Sequence, residues 1–349
     1  MAILRVDPAA PNPEAIARAA SLLRQGRLVA FPTETVYGLG AHALDTAAVQ
    51  RIYAAKGRPS YNPLIVHLAD AARVRDVVSE WPERAARLAA AFWPGPLTLL
   101  LPKRDVVPEA VTAGLPSVAV RVPAHPVALA LLRAADIPVA APSANRSTEI
   151  SPTTAAHVAK ALDDRVDLIL DGGPTEVGIE STVLDIGAPM PVILRPGAIG
   201  PRELEPVIGR VIFGGHLARA GAPDAEGEIG DAAPEDISPR ASPGMMDRHY
   251  APRARVMLFH AAERARLVAL VREWSARGER VGGLLLGELD GASTPWLVRM
   301  PSAPEAYARR LYDTLHALDD VGCGVIVIER VPESAEWAGV RDRLERAGG

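Results

Sequence analysis

Three short polar clusters lie within residues 31–67, each joined to an apolar run: Phe31-Pro-Thr-Glu-Thr-Val-Tyr-Gly-Leu-Gly40, Lys56-Gly-Arg58 and Asn62-Pro-Leu-Ile-Val-His67. The hydroxyls of Thr33, Thr35 and Tyr37 offer hydrogen-bond donors without adding charge. The glycines beside them permit tight turns or close approach of backbone to a ligand. Lys56 and Arg58, two apart in a Gly/Pro-rich stretch, can converge on phosphate oxygens. Singly, each cluster has a plainer reading, as a Thr-capped turn or a pair of solvated cations. Together they describe one site for an anionic substrate. Of 38 basic residues only Lys56, Lys103 and Lys160 are lysine, so lysine at 56 suggests a need for a compact ammonium rather than a guanidinium.

Further along, His67 sits inside an apolar strand, where a satisfied structural histidine is the commoner role. Arg121, in Val118-Ala-Val-Arg-Val122, is ordinary if it faces outward; facing inward it must meet an anion, and a carboxylate would satisfy it bidentately. Ala140-Ala-Pro-Ser-Ala-Asn145 ends a strand with two polar side chains, Ser143 and Asn145, where α/β sheets commonly bind ligands. An Asx turn or helix cap is the plainer alternative. Ser151 before Pro152 can cap a helix or help hold phosphate at its N-terminus. Ser181-Thr182 and Arg195-Pro-Gly197 repeat the theme. No Gly-x-x-x-x-Gly-Lys-Ser/Thr loop, Gly-x-Ser-x-Gly elbow or His-Glu-x-x-His motif occurs.

The elements that must position these groups alternate. A helix over Pro13 to Gln25 ends at Gly26 and precedes a strand at Leu28–Phe31; a second helix, about Thr46 to Ala55, delivers Lys56 and Arg58 just past its end. Strands are expected at 64–68, 97–101, 118–122, 139–141, 168–170, 181–186 and 192–194, and helices at 71–79, 83–92, 126–135 and 153–162. From Gly214 the composition turns to Gly, Ala, Pro, Asp and Glu, which cannot build a core. Strands at 255–259, 281–286 and 324–328 then alternate with helices at 262–277, 304–319 and 333–346, the pattern of a small parallel α/β domain. The expected division is 1–213, a linker at 214–252, and 253–349.

At 349 residues and 48% hydrophobic, the chain can build two cores. Its longest apolar runs fall far short of the ~20 residues of a membrane helix. The N-terminus lacks secretory-signal features. One cysteine, Cys323, excludes an internal disulfide and a Cys-rich zinc site, so the cytoplasm is the expected compartment. Net charge of −4 with dispersed basic residues argues against strong direct nucleic-acid binding.

In order and spacing, Thr33-Glu-Thr-Val-Tyr-Gly-Leu39, Lys56-x-Arg58, Asn62-Pro-Leu64, Ser143-x-Asn145 and Ser242-Pro-Gly-Met…His249-Tyr-Ala-Pro252 resemble the YrdC-like family of threonylcarbamoyl-AMP synthases, in its longer, two-domain (Sua-type) form. The resemblance implies a twisted open α/β sheet with a concave, positively lined cavity, plus a smaller Rossmann-like parallel α/β C-terminal domain. It implies the reaction of L-threonine, bicarbonate and Mg²⁺-bound ATP to threonylcarbamoyl-AMP and pyrophosphate, with no organic cofactor and no metal held by the protein itself. Other proteins would transfer the threonylcarbamoyl group to an adenosine beside the tRNA anticodon. Position by position it places Thr35, His67, Arg121, the Ala141 backbone and Ser181 at threonine. Arg58, Asn62, Ser117, Ser143, Ser151 and Arg195 fall at the nucleotide, with Lys56 and Asn145 beside them. Lys56, Arg58 and His67 would position the substrates; no general base is named. His249-Tyr250 would close as a lid. Met246-Asp247-Arg248 stands where relatives often carry more basic residues, which weakens the expected lid contacts to phosphate.

Two rivals remain at this stage. A carbamoyl-transfer enzyme of hydrogenase maturation would need cysteine-rich zinc segments, which one cysteine cannot supply. A non-catalytic RNA-binding protein sits poorly with the charge. Residues 253–349 show no convincing catalytic cluster and are expected to regulate or to position the lid.

Overall fold

A computed structural model describes residues 2–214, 250–287 and 294–348. The first part forms an 11-stranded sheet from β1 (Ala2–Arg5), β2 (Val29–Phe31), β3 (Gly38–His42), β4 (Ile65–His67), β5 (Leu97–Pro102), β6 (Ser117–Arg121), β7 (Val139–Ala140), β8 (Leu168–Asp171), β9 (Thr182–Asp185), β10 (Val192–Arg195) and β11 (Ile212–Phe213). Their spatial order is β1-β8-β2-β3-β7-β4-β6-β5-β9-β10-β11, mixing parallel pairs such as β4 with β6 and antiparallel pairs such as β5 with β6. The second sheet contains β12 (Arg255–Phe259), β13 (Val281–Leu285), β14 (Leu297–Arg299) and β15 (Val325–Glu329), all parallel in the order β12-β15-β13-β14. The α/β class and the parallel second sheet are as the sequence pattern implies.

Helices cover the strands for readable reasons. Pro13–Arg24 is capped by Asn12, whose side chain accepts from Glu14 N and Ala15 N, and its apolar stripe Ile16, Ala19, Ala20 and Leu23 packs with Val127, Ala128, Leu131 and Leu132 of the helix Pro126–Ala135. Thr46–Lys56 is capped by Asp45 and stopped by Gly57 at φ +61°, a left-handed C-cap that a glycine adopts without a Cβ clash. Lys56 is therefore the last residue of this helix rather than the first beyond it.

Other elements depart from the sequence reading. Residues 38–42, read as part of a glycine-rich turn, form β3 between β2 and β7. Glycine has low strand propensity, but a Cβ at Gly40 would stand 2.8 Å from the Phe31 ring, so close packing selects it here. The helix expected at 71–79 is a 3₁₀ segment, Ala71–Asp76. β1, β14, β11 and the helix Pro201–Ile208 were not anticipated; most are short. The linker expected at 214–252 lies, except for its ends, outside the described residues.

The second unit docks onto the first through apolar contacts. Val36, Ile150 and Ile179 share one core with Tyr250 and with Tyr307, Leu311, Tyr312 and Leu315 of the helix Pro304–Asp320. Burial of this kind stabilises by ~25 cal/mol per Å² of apolar surface. Polar ties accompany it: Arg309 Nε donates to Glu176 O at 2.6 Å, and His316 Nε2 stands 3.2 Å from Ser151 O.

Candidate active site

The cavity opens where β4, β6 and the loops after β2 and β7 meet. β4 and β6 pair in parallel with His67 opposite Arg121, so the register places the histidine and the arginine side by side on its floor. Arg121 faces inward and is nearly inaccessible. Its Nη2 donates to Glu34 Oε1 at 2.6 Å, Nη1 to Thr35 Oγ1 at 3.0 Å and Nε to Gly95 O at 3.1 Å. Glu34 Oε2 also accepts from Ala124 N. The inward arginine thus has its anion inside the protein.

The Thr33-Glu-Thr35 run forms the adjoining wall. Thr33 Oγ1 donates to Val36 O at 2.6 Å, which commits its one proton. Thr35 must then donate across the 2.7 Å contact to Thr33, while its oxygen accepts from Arg121. Burial, with the Arg121 charge adding to it, lowers the His67 pKa to about 3, so the ring is neutral at neutral pH. The far wall is held by Ser181, whose hydroxyl meets Thr98 Oγ1 at 2.8 Å and accepts from Arg195 Nη2 at 3.1 Å.

Not every residue singled out in the sequence reaches the cavity surface. Thr35, Arg58, His67, Arg121, Ala141, Ser143, Ser181, Arg195 and Tyr250 line it. Lys56 lies behind the wall, fully buried, with Nζ donating to Ser143 O at 2.6 Å, to Asn145 O, and to Asn145 Oδ1 at 3.3 Å. Burial, with Arg58 adding to it, drives its pKa well below the ordinary lysine value. Lys56 pins the Ser143–Asn145 turn, and Ser147 N donates back to Lys56 O. Arg58 binds its own loop through Asn62 O and Pro63 O. Asn62, fully buried, Ser117, half-buried at the start of β6, Asn145 and Ser151 do not line the cavity. His249 lies outside the described residues.

Two carboxylates went unassigned in the sequence reading: Glu34, just described, and Glu180, whose Oε1 accepts from Ser151 Oγ at 2.5 Å. Glu34 had a usable signal, its place between two threonines of the motif. The signal for Glu180 lies more than a hundred residues away in the second unit.

Comparison with known proteins gives this arrangement its context. The family described as "Telomere recombination" matches residues 21–197, and the family "Threonylcarbamoyl-AMP synthase, C-terminal domain" matches 199–349. A threonylcarbamoyl-AMP synthase of Bacillus subtilis is 44% identical over 98% of this chain and 95% of its own; that of Pyrococcus abyssi is 43% identical over 95% and 93%. The chain belongs to the threonylcarbamoyl-AMP synthase family. The crystal structure of P. abyssi Sua5 complexed with L-threonine superposes with a TM-score of 0.87 at 41% identity, covering 100% of this chain and 98% of that one. The two-domain synthase architecture therefore extends across the whole chain.

Buried neutral histidines give this synthase family member a pH signature. His67 and His316 are each held at about 3, in His316 by burial and then by the stacked His157 ring at 3.8 Å. Below the unfolded-state value of about 6.5 the unfolded chain binds protons that these rings in the folded chain refuse, so stability falls as pH drops from about 6.5 toward 3. Each histidine is expected to contribute a loss of ~2 kcal/mol by pH 5. Urea unfolding at pH 7.5 and pH 5 checks this: a lower midpoint at pH 5, less so in His316→Gln, is expected, and a flat profile would rule it out.

Proposed function

We propose that this chain is an L-threonylcarbamoyladenylate synthase, a nucleotidyltransferase that converts L-threonine, bicarbonate and ATP into threonylcarbamoyl-AMP, pyrophosphate and water. The product would serve threonylcarbamoyladenosine modification of tRNA beside the anticodon, with the transfer made by separate proteins. The observation that carries the reading is the full-length match to the threonine-complexed protein, combined with the His67–Arg121 pair in the cavity floor.

In this reading the threonine carboxylate takes guanidinium donors of Arg121 now shared with Glu34 and Thr35. Neutral His67, the Ala141 backbone and Ser181 surround the rest of the amino acid. The amine attacks bicarbonate carbon and water leaves, giving a carbamate. A carbamate oxygen then attacks the α-phosphorus and the bond to pyrophosphate breaks. Arg58, Ser143 and Arg195 face the nucleotide, Asn62 anchors Arg58 through its carbonyl, Lys56, Asn145 and Ser151 shape the wall, and Ser117 would meet the nucleotide outside the present lining. Catalysis comes from positioning and charge neutralisation.

Mg²⁺ enters as part of the ATP substrate. Among the described residues no group of three or more His, Cys, Asp or Glu side chains is placed to hold a metal. Glu180, which lines the cavity, and Glu34, which lies behind it, are each tied to an arginine, so phosphate oxygens would supply the ligands. Among the described residues no helix is long and apolar enough to cross a membrane. With Tyr250 in its wall, the cavity is narrow, about 40 Å³. In this reading Tyr250 is part of a lid that moves aside as ATP enters.

The test is pyrophosphate release from Mg²⁺-ATP with threonine and bicarbonate supplied together or singly, with the adduct sought by mass spectrometry. Release that needs both, with threonylcarbamoyl-AMP formed, supports the reading. Threonine-independent release, or none from folded nucleotide-binding protein, contradicts it.

A further inference from the structure

The C-terminal unit reaches the cavity wall at Glu180 and Ser151. Arg343, on the helix Ala338–Gly348, is fully buried and is the common partner of a wall residue and a lid residue. Its Nε donates to Glu180 Oε2 at 2.7 Å, Nη2 to Glu180 O at 3.4 Å, and Nη1 to Pro196 O at 2.9 Å, next to Arg195. Tyr312 OH adds a second donor to Glu180 Oε2 at 3.0 Å. The guanidinium carbon also sits 5.0 Å from the centre of the Tyr250 ring. Asp342 and Arg346 brace the arginine from its own helix, Asp342 Oδ2 accepting from Arg343 Nη1 at 2.8 Å and Oδ1 from Arg346 Nε at 3.0 Å.

Glu180 is the reason this matters. A carboxylate in the wall of a cavity built for a polyphosphate would repel its substrate unless cations fixed and neutralised it. Burial alone would raise its pKa, yet Arg343 and Arg195 outweigh burial and hold it at about 2, so it stays an anion. With Oε2 occupied by Arg343 and Tyr312, Oε1 is turned to accept the Ser151 proton. Ser151 is also held directly by the C-terminal unit, since its carbonyl faces His316 Nε2. Three contacts from the C-terminal unit, through Arg343, Tyr312 and His316, thus converge on the Glu180–Ser151 corner beside Arg195.

We propose that Arg343 is a positioning residue for the nucleotide half of the cavity: by clamping Glu180 and seating Tyr250, it makes productive ATP binding depend on docking of the C-terminal unit. In the threonine half, the Arg121 hydrogen bonds run to Gly95, Thr35 and Glu34, all in the first unit. The inference rests on the reaction proposed above, and its test separates the two.

Arg343→Met alone would strand the Glu180 charge and so risk misfolding. Arg343→Met combined with Glu180→Gln removes the pair together, and Arg343→Lys keeps the charge but loses the fork. In full-length protein the double variant is expected to raise KM for ATP about tenfold or more, with KM for threonine within twofold and a Tm near wild type; Arg343→Lys is expected to fall between. Unchanged KM for ATP, or parallel losses toward both substrates, would overturn the proposal. ATP affinity by calorimetry gives a readout independent of turnover. If wild type binds ATP but makes no threonylcarbamoyl-AMP, the reaction is wrong; tenfold weaker ATP binding by the double variant would still uphold the clamp, and equal binding would overturn it.

Discussion

Arg121→Ala is expected to raise KM for threonine by ~100-fold or more while leaving KM for ATP within a few fold. Truncating one partner of a buried, hydrogen-bonded charge pair costs ~2–5 kcal/mol, and here the lost donors are those a carboxylate would take. Part of the cost falls on the free protein, because Glu34 would be left as a buried charge with only the Ala124 amide. Arg121→Met with Glu34→Gln removes that burden, and the double variant should recover much of any lost stability without recovering threonine use. Steady-state kinetics with each substrate varied, alongside thermal unfolding, checks both halves of this expectation. Recovery of threonine KM in the double variant would show that Arg121 only serves Glu34.

Lys56→Ala is expected to have the next largest effect, and for a different reason. Its ammonium donates to three acceptors at the Ser143–Asn145 turn, and each acceptor left buried without a donor costs ~1–3 kcal/mol. The turn carries Ser143 into the cavity, so the loss should appear as weaker ATP use, with KM for ATP rising at least tenfold, together with a lower Tm. Lys56→Arg should not restore either, because a planar fork cannot match three acceptors converging on one point. Restored ATP use in Lys56→Arg would mean that charge alone is needed at 56.

Much of this site is legible in the sequence because its residues sit at the ends of short, strongly apolar strands. The run Ile65-Val-His67 and Val118-Ala-Val-Arg121 each read as strands, and their parallel register then puts His67 beside Arg121. The Thr33–Gly40 motif was legible as a site but not as structure, since its glycines hid β3. Lys56 was legible as unusual, but not its place behind the wall, where it holds the turn that carries Ser143.

What stayed hidden is the tie between the two units. Arg341-Asp-Arg-Leu-Glu-Arg346 looks like a solvated charge run on a helix, but Asp342, Arg343 and Arg346 are buried. Nothing local distinguishes them: the carboxylate that Arg343 meets, Glu180, comes from a distant part of the chain. The same holds for Glu34, whose partner Arg121 is 87 positions away. Ion pairs across such separations follow from the tertiary fold, which periodicity within one segment does not encode.

On the proposed function, one cavity is divided into a threonine half around Arg121 and a nucleotide half around Arg58, Ser143 and Arg195. Pyrophosphate release measured over a matrix of threonine and ATP concentrations, for wild type, Arg121→Ala and Arg58→Ala, tests it most directly. Arg121→Ala is expected to raise mainly KM for threonine and Arg58→Ala mainly KM for ATP. Equal losses toward both substrates in both variants would contradict it.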